Sequence, residues 1–210
     1  MASSHRGNRQ KRRGGDGGGH NVKLSKLLSY TLRHGATKEG LNITPAGYIK
    51  VSDILNHDKF KGFKKEDIEQ VVKENDKQRF SFGDENGELT IRANQGHSLE
   101  VPELELLKLE LDELAVAIHG TYEKCIEGIK RTGLSRMRRQ HIHMAVDEPG
   151  ESGVISGMRK SCDFIITVNI GRAQRDGLVF YRSSNNVILC EGNEEGCILP
   201  KYFDSVKRRK

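Results

Sequence analysis

Arg79–Ala93 reads RFSFGDENGELTIRA, and that stretch decides how the first half of the chain folds. RFSF (79–82) and ELTIRA (88–93) are short strand-forming runs on either side of Asp84-Glu85-Asn86-Gly87. Two such runs about an Asn-Gly pair make a β-hairpin, because Asn and Gly tolerate the positive φ of a tight turn. Upstream, KLSKLLSYTLRH (23–34) places Leu24, Leu27, Leu28 and Leu32 at helical spacing, with Gly35 positioned to stop the helix. Gly47–Lys50 reads as a short strand, and Ser52 or Asp53 opens a second helix around Ile54 and Leu55. A third helix spans about 64–75 with Ile68, Val71 and Val72 inward. Helix, strand, helix, helix, hairpin is the order of a winged helix. Its third helix sets Lys64, Lys65 and Lys73 against Glu66, Asp67, Glu69 and Glu74. An element that lies on a phosphate backbone must be cationic, so duplex reading by this helix is not expected.

Downstream, 95–103 reads as a connection that includes Pro102, and the pattern changes from about 104. Val116-Ala117-Ile118 is a strand leading into His119-Gly120-Thr121. A helix follows at about 122–131 and stops near Gly133, and further strands fall at 141–146, 163–170, 178–181 and 187–190. This half is expected to be a mixed or antiparallel sheet with few helices, unlike a doubly wound nucleotide-binding fold. The expectation is an α+β, bilobed chain. Residues 1–20 form a disordered basic tail, 21–100 the winged-helix lobe, 101–206 the second lobe and 207–210 another basic tail.

The net charge of +6 is concentrated at the ends. Residues 1–20 hold five basic groups and one acid, KRRK (207–210) adds four more cations, and 21–206 is left at −2. Basic ends attract polyanions or serve as a nuclear address. The glycines of residues 1–20 follow no strand and do not fit a dinucleotide fingerprint. No apolar run is long enough to span a bilayer and the start is not a signal peptide, so no membrane partner is expected. Cys125, Cys162, Cys190 and Cys197 show neither a CxxC pair nor zinc spacing, as expected of reduced thiols inside a cell.

The most chemical stretch is GIKRTGLSRMRRQHIHMAV (128–146). It carries Lys130, Arg131, Arg136, Arg138 and Arg139, no carboxylate, and runs into His141-Ile142-His143. On a strand, alternation puts both imidazoles on one face and Ile142 and Met144 on the other. Guanidinium forks grip phosphate oxygens in pairs, and imidazole moves protons near neutral pH. A solvated basic face is the plainer explanation of the same residues. Arg33-His34 at a helix end complements the helix dipole, and Ile91–Ser98 (IRANQGHS) is a polar exit loop.

Together these fragments resemble a family. LSKLLSYTLRHG (24–35), QRF with IRANQGHS (78–80, 91–98), HGT (119–121), GLSRMRRQHIHMA (133–145), ISGMR (155–159) and ILPKYF (198–203) resemble RNA 2′-phosphotransferases, in that family's order, over about 22–206. Met144-Ala145 stands where many members have Leu-Ser. The resemblance implies NAD-dependent removal of an internal RNA 2′-phosphate, typically at a tRNA splice junction. NAD is consumed as co-substrate, nicotinamide and ADP-ribose 1″,2″-cyclic phosphate leave, and the 2′-hydroxyl is restored. It also implies a winged-helix amino-terminal lobe and a carboxy-terminal lobe resembling ADP-ribosyltransferases.

Carried over motif by motif, the resemblance puts the family's Arg-His-Arg-Arg quartet on Arg33, His34, Arg92 and Arg139, with Arg138 the neighbour a one-residue slip would select. The arginines bind phosphate and stabilise its developing charge, and His34 transfers a proton. His119, Gly120 and Thr121 resemble the opening strand motif of ADP-ribosyltransferases and so contact NAD, with His141 or His143 lining the nicotinamide pocket. Gln95, His97 and Ser98 are candidates for RNA or phosphate contact. No counterpart is found to the glutamate that protein-modifying relatives hold at the sugar. The expected partner is RNA, a 2′-phosphorylated tRNA, and the chain is expected to act as a monomer in nucleus or cytoplasm.

Three other functions compete. A metal-dependent phosphoesterase would use His119, His141 and His143 as ligands, but no Asp or Glu follows until Asp147, and the arginines oppose a divalent cation, so no metal is expected. A non-catalytic RNA-binding module would bind without turnover. An ADP-ribosyltransferase acting on RNA terminal phosphates would leave ADP-ribose on its acceptor.

Overall fold

Leucines at helical spacing build the first element, α1 (Gly17–Tyr30), which buries Leu24 and Leu28 completely. The computed structural model describes residues 17–147, 158 and 161–209. The helix starts earlier than the leucine pattern predicts, taking in residues 17–20 that were expected in the tail. His20 explains the extension: its ring packs at 4.6 Å on Phe63, with Asp67 at 3.6 Å. Residues 1–16 of the expected tail lie outside the described residues.

Gly35 does not stop the helix. After Tyr30 the backbone widens into a π-turn, Thr31–Gly35, tightens into a 3₁₀ turn, Ala36–Glu39, and ends at Gly40 with φ +71°. Gly35 is needed for space instead. A Cβ there would lie 2.7 Å from Tyr30 Cε1 and 2.8 Å from Glu39 Oε1. The Glu39 carboxylate accepts a hydrogen bond from Thr31 Oγ1 at 2.9 Å and pairs with Lys59. That clamp fixes the turn that carries Arg33 and His34.

The unit continues through β1 (Ile49–Lys50), α2 (Val51–Asn56), α3 (Lys65–Lys73), β2 (Phe80–Glu85) and β3 (Glu88–Ala93). Asn86 and Gly87 adopt φ +56° and +81° between paired Glu85 and Glu88, the geometry of a type I′ hairpin turn. β1 pairs with the other edge of β3, giving the order β1-β3-β2. Leu24, Leu28, Leu32, Ile49, Ile54, Phe60, Ile68 and Ile91 close one core between this sheet and the helices.

The rest of the chain runs β4 (Leu107–Lys108), β5 (Val116–Thr121), α4 (Glu123–Thr132), β6 (Leu134–Ser135), β7 (Ile142–Ala145), β8 (Phe164–Asn169), α5 (Ile170–Arg175), β9 (Phe180–Arg182), β10 (Val187–Cys190), β11 (Cys197–Ile198) and β12 (Phe203–Arg208). Among the described residues, seven of these strands form one antiparallel sheet in the order β12-β8-β5-β7-β10-β9-β4. β6 and β11 pair separately. Ile142, Met144, Ile166, Val168, Phe180 and Ile188 pack a second core on one face of the large sheet. The whole is a mixed α+β fold.

Lys207 and Arg208, expected in a carboxy-terminal tail, are instead the end of edge strand β12, paired with Ile165 and Phe164. Arg208 bonds Glu123 and lies over the Phe164 ring at 5.6 Å. Charged side chains on an edge strand deter pairing with other chains.

Gly133 caps α4 with φ +94°, and a Cβ there would sit 2.3 Å from the Ile198 carbonyl oxygen. A methyl group meets both a strained backbone and an immovable neighbour. Gly133→Ala is therefore expected to destabilise by at least ~2 kcal/mol, lowering Tm by about 4–8 °C. Gly128, in the same helix with nothing within 4 Å of its would-be Cβ, is the control. Gly128→Ala is expected to stabilise by about 0.5–1 kcal/mol in the same melting experiment.

Candidate active site

The π-turn sets Arg33 and His34 on consecutive positions against the loop that leaves β3. Ser98 and Leu99 donate backbone N–H bonds to the Arg33 carbonyl at 2.9 and 3.3 Å. Those bonds satisfy a carbonyl that the widened turn exposes. The Arg33 side chain runs along Gly96, where a Cβ would lie 3.4 Å from Arg33 Nε. His34 Nδ1 is 2.9 Å from Ser98 Oγ.

A second loop brings Arg139 to the same place. Arg136 N donates to Gly196 O at 3.0 Å, Met137 N to Ser135 Oγ at 3.1 Å, and Arg139 N to Arg136 O at 3.1 Å. Gln140 then staples this loop to the first: its N donates to His97 O at 3.1 Å and its Nε2 to Leu99 O at 2.8 Å. The turn with Arg33-His34 and the loop with Arg139 are thus both tied to residues 97–99.

Alternation in β7 is as expected, with Ile142 and Met144 buried in the core and His143 on the opposite face with Ala145. His143 Nδ1 bonds His141 O at 2.9 Å, and His119 Nδ1 bonds His143 O at 2.8 Å. β5 pairs with β8 at six positions but with β7 at one, Ile118↔Ala145. Backbone pairing between these two strands is thus limited to Ile118, and at His119 the contact across the seam is made by a side chain. A Cβ on Gly120 would lie 2.3 Å from Met158 Cγ and 2.8 Å from Cys162 Sγ, so only its backbone is presented. Of the ISGMR segment only Met158 is among the described residues.

Electrostatics bind these parts into one site. Burial, then Arg139 and Arg79, brings the Arg33 pKa down to about 10. Burial followed by Arg139 lowers His34 and His143, the latter to about 3, and burial lowers His119 with a lesser push from Arg139. Arg139 thus acts on four of the candidate groups, whereas Arg138 does not figure among the charges that shift them. Burial, then Arg33, His34, Arg92 and His141, takes His97 to about 3. Arg92 joins the cluster through His97. Its Nη2 is held by Glu105 at 2.8 Å, and its guanidinium lies over the Tyr48 ring at 4.7 Å.

Buried nitrogens without a protein partner concentrate here: Arg33 Nε and Nη2, Arg92 Nε, both nitrogens of His97, and His143 Nε2. A buried polar atom left unpaired costs about 1–3 kcal/mol, so such a cluster marks a place built to meet a polar ligand. Mostly cationic donors beside neutral imidazoles suit a phosphate. Gln95 is buried in the same loop, and Ser98 is turned to His34.

The neutral imidazoles have a consequence for stability. His97 and His143 titrate near 3 when folded and near 6.5 in the unfolded chain, which therefore binds more protons between those values. Their contribution is complete above about pH 6.5 and is lost as pH falls toward 3. Melting curves from pH 7 down to 5 are expected to show a falling Tm, with a flatter slope in His97→Gln.

Several partners were not legible in the sequence. Glu105 and Tyr48 hold Arg92, Gln140 staples the loops, and Glu191 reaches 3.8 Å from His141 Nε2. Glu191 is a carboxylate beside His141 that the sequence around these histidines does not display. It lies fifty positions after His141 and arrives through the β7–β10 pairing. Among the described residues, no group of three His, Cys, Asp or Glu side chains is placed to hold a metal ion.

Comparison with known proteins bears on the family of the chain. Residues 19–192 match the model of the family described as RNA 2′-phosphotransferase, Tpt1 / KptA family. The chain is 46% identical over 194 residues to tRNA 2′-phosphotransferase 1 of Danio rerio, covering 90% of this chain and 86% of that one. It is 47% identical to the Homo sapiens protein of the same name, covering 87% and 74%. It is 38% identical to a probable RNA 2′-phosphotransferase of Flavobacterium johnsoniae, covering 86% and 94%.

Proposed function

The chain belongs to the RNA 2′-phosphotransferase family, and from that premise we propose that it moves an internal 2′-phosphate of tRNA onto the ADP-ribose of NAD, restoring the 2′-hydroxyl. The observation that carries the reading is the convergence of Arg33, His34, Arg139 and His143 around unpartnered buried nitrogens. We read Gly17–Ala93 as a winged-helix lobe, from its helix, strand, helix, helix, hairpin order. The seven-stranded sheet is read as an ADP-ribosyltransferase-like lobe, because backbone pairing of its two central strands is limited to Ile118, beside His119-Gly120-Thr121.

NAD supplies an electrophilic ribose carbon with nicotinamide as leaving group, and a neighbouring hydroxyl that completes the transfer. His119, the Gly120 and Thr121 backbone, and His141 with His143 are the residues to hold it. The fit rests on two features, the one-residue pairing of β5 with β7 and the unpartnered His143 Nε2. Arg33, Arg139 and Arg92 bind the RNA phosphate and offset charge on its oxygens as the bond to the RNA 2′-oxygen breaks. Arg92 is held by Glu105 and the Tyr48 ring before substrate arrives, so it needs no reorganisation as charge develops. His34 moves the proton between the 2′-oxygen, the attacking hydroxyl and solvent.

The test is stoichiometric. Incubation with NAD and an oligonucleotide bearing one internal 2′-phosphate is expected to release one nicotinamide for each phosphate removed. ADP-ribose retained on a terminal RNA phosphate would support the transferase alternative instead. Binding without nicotinamide release would leave only an RNA-binding module.

A further inference from the structure

We infer that Ser98 is a positioning residue for His34: its hydroxyl oxygen accepts from His34 Nδ1–H, fixing the tautomer in which Nε2 carries the lone pair and exchanges the proton. The inference deepens the phosphotransfer reading and rests on it for the role of His34. It starts from one contact, His34 Nδ1 to Ser98 Oγ at 2.9 Å. That contact spans a sequence separation of 64 residues and lies beside two backbone bonds. Ser98 N and Leu99 N both donate to the carbonyl of Arg33, the residue before His34. The backbone of Ser98 is therefore held beside the turn that carries His34, which keeps its hydroxyl within reach of the imidazole.

A serine hydroxyl can donate or accept, so the choice of tautomer comes from the surroundings. The groups facing His34 are Arg33 from its own turn, Arg139 from the loop before β7, His97 and Ser98 from the β3 exit loop, and the Tyr30 ring at 6.2 Å. Two of these are cations, and they disfavour a further positive charge. Burial, then Arg139 and Arg33, holds His34 below its ordinary pKa, so near neutral pH the ring is neutral and its tautomer matters. A positive field favours turning a lone pair toward the cleft and the N–H away from it. The hydroxyl of Ser98 receives that N–H. The same division of labour is general for catalytic histidines: the bond made by one ring nitrogen sets what the other can do.

The protons balance simply. Nε2 takes one from the hydroxyl that attacks phosphorus and becomes N–H, giving an imidazolium whose Nδ1–H still donates to Ser98. It returns the proton to the RNA 2′-oxygen as the phosphorus–oxygen bond breaks. Ser98 gains and loses no proton.

The experiment compares wild type, Ser98→Ala and Ser98→Thr, first by 15N imidazole spectroscopy of the free protein across pH and then by turnover of a 2′-phosphorylated oligonucleotide with NAD. The spectrum is expected to show His34 protonated on Nδ1 in wild type. Ser98→Ala is expected to lower the His34 pKa, because the imidazolium loses its acceptor. It should also lower kcat about tenfold with KM for RNA unchanged, the scale of one hydrogen bond. Ser98→Thr, which keeps the hydroxyl, is expected to restore both. Protonation on Nε2 in wild type, a rise in the His34 pKa on Ser98→Ala, or an unchanged kcat each overturns the inference. If wild type releases no nicotinamide, the phosphotransfer reading fails, while the spectra still decide the tautomer.

Discussion

Arg139→Ala is expected to lower 2′-phosphate transfer about 10²–10³-fold with the fold intact. The side chain stands on a loop braced by Gly196, Ser135 and Arg136 through backbone N–H groups, so truncation beyond Cβ leaves the brace in place. What is lost is a charge that acts on Arg33, His34, His119 and His143 together. Removing it takes away one preorganised donor for the phosphate oxygens at the moment their charge grows. Arg138→Ala is the control for a one-residue error in assigning the role, and is expected to change rate by less than about threefold, as a rim cation does. Single-turnover rates with a 2′-phosphorylated oligonucleotide, alongside melting curves, check both. The reverse order of effects would move the role to Arg138.

His34→Ala is expected to cost about 10²–10⁴ in phosphate removal, the range of a lost general acid–base. Its ring is half-buried and bonded to one exposed serine, so the fold is expected to tolerate the change. The second half of the transfer needs a proton taken from one oxygen and delivered to another. Nicotinamide release, which needs none, should suffer less. Measured together in one quenched time course, nicotinamide is expected to appear ahead of RNA that has lost its phosphate. Equal slowing of both would assign His34 to binding instead. Raising pH should not rescue the variant, since the missing group is the proton carrier itself.

The elements that were legible are those that carry a period or a turn signal. The hairpin about Asn86-Gly87, α3, α4 with its stop at Gly133, and β10 fall where pattern puts them. What was not legible depends on contacts across the chain. The π-turn at Thr31–Gly35 has no spacing signature, because Gly35 looks like a stop and is instead required by the lack of room for a Cβ beside Tyr30 and Glu39. The two-residue strands β4, β6 and β11 are too short to show alternation and exist only through their partners. The site divides in the same way. Arg33, His34, Arg139 and the histidines stand in motifs, and the structure brings them together. Glu105 on Arg92, Gln140 between the loops and Glu191 beside His141 follow from pairing and loop geometry, which one sequence does not display.

The most direct test of the central claim follows the phosphorus atom. An oligonucleotide labelled at its single internal 2′-phosphate is incubated with the protein, with and without NAD. The account predicts that the label leaves the RNA only when NAD is present and is recovered in a small ADP-ribose cyclic phosphate, with a free 2′-hydroxyl left behind. Label released as inorganic phosphate without NAD, or label that stays on the RNA, would contradict it.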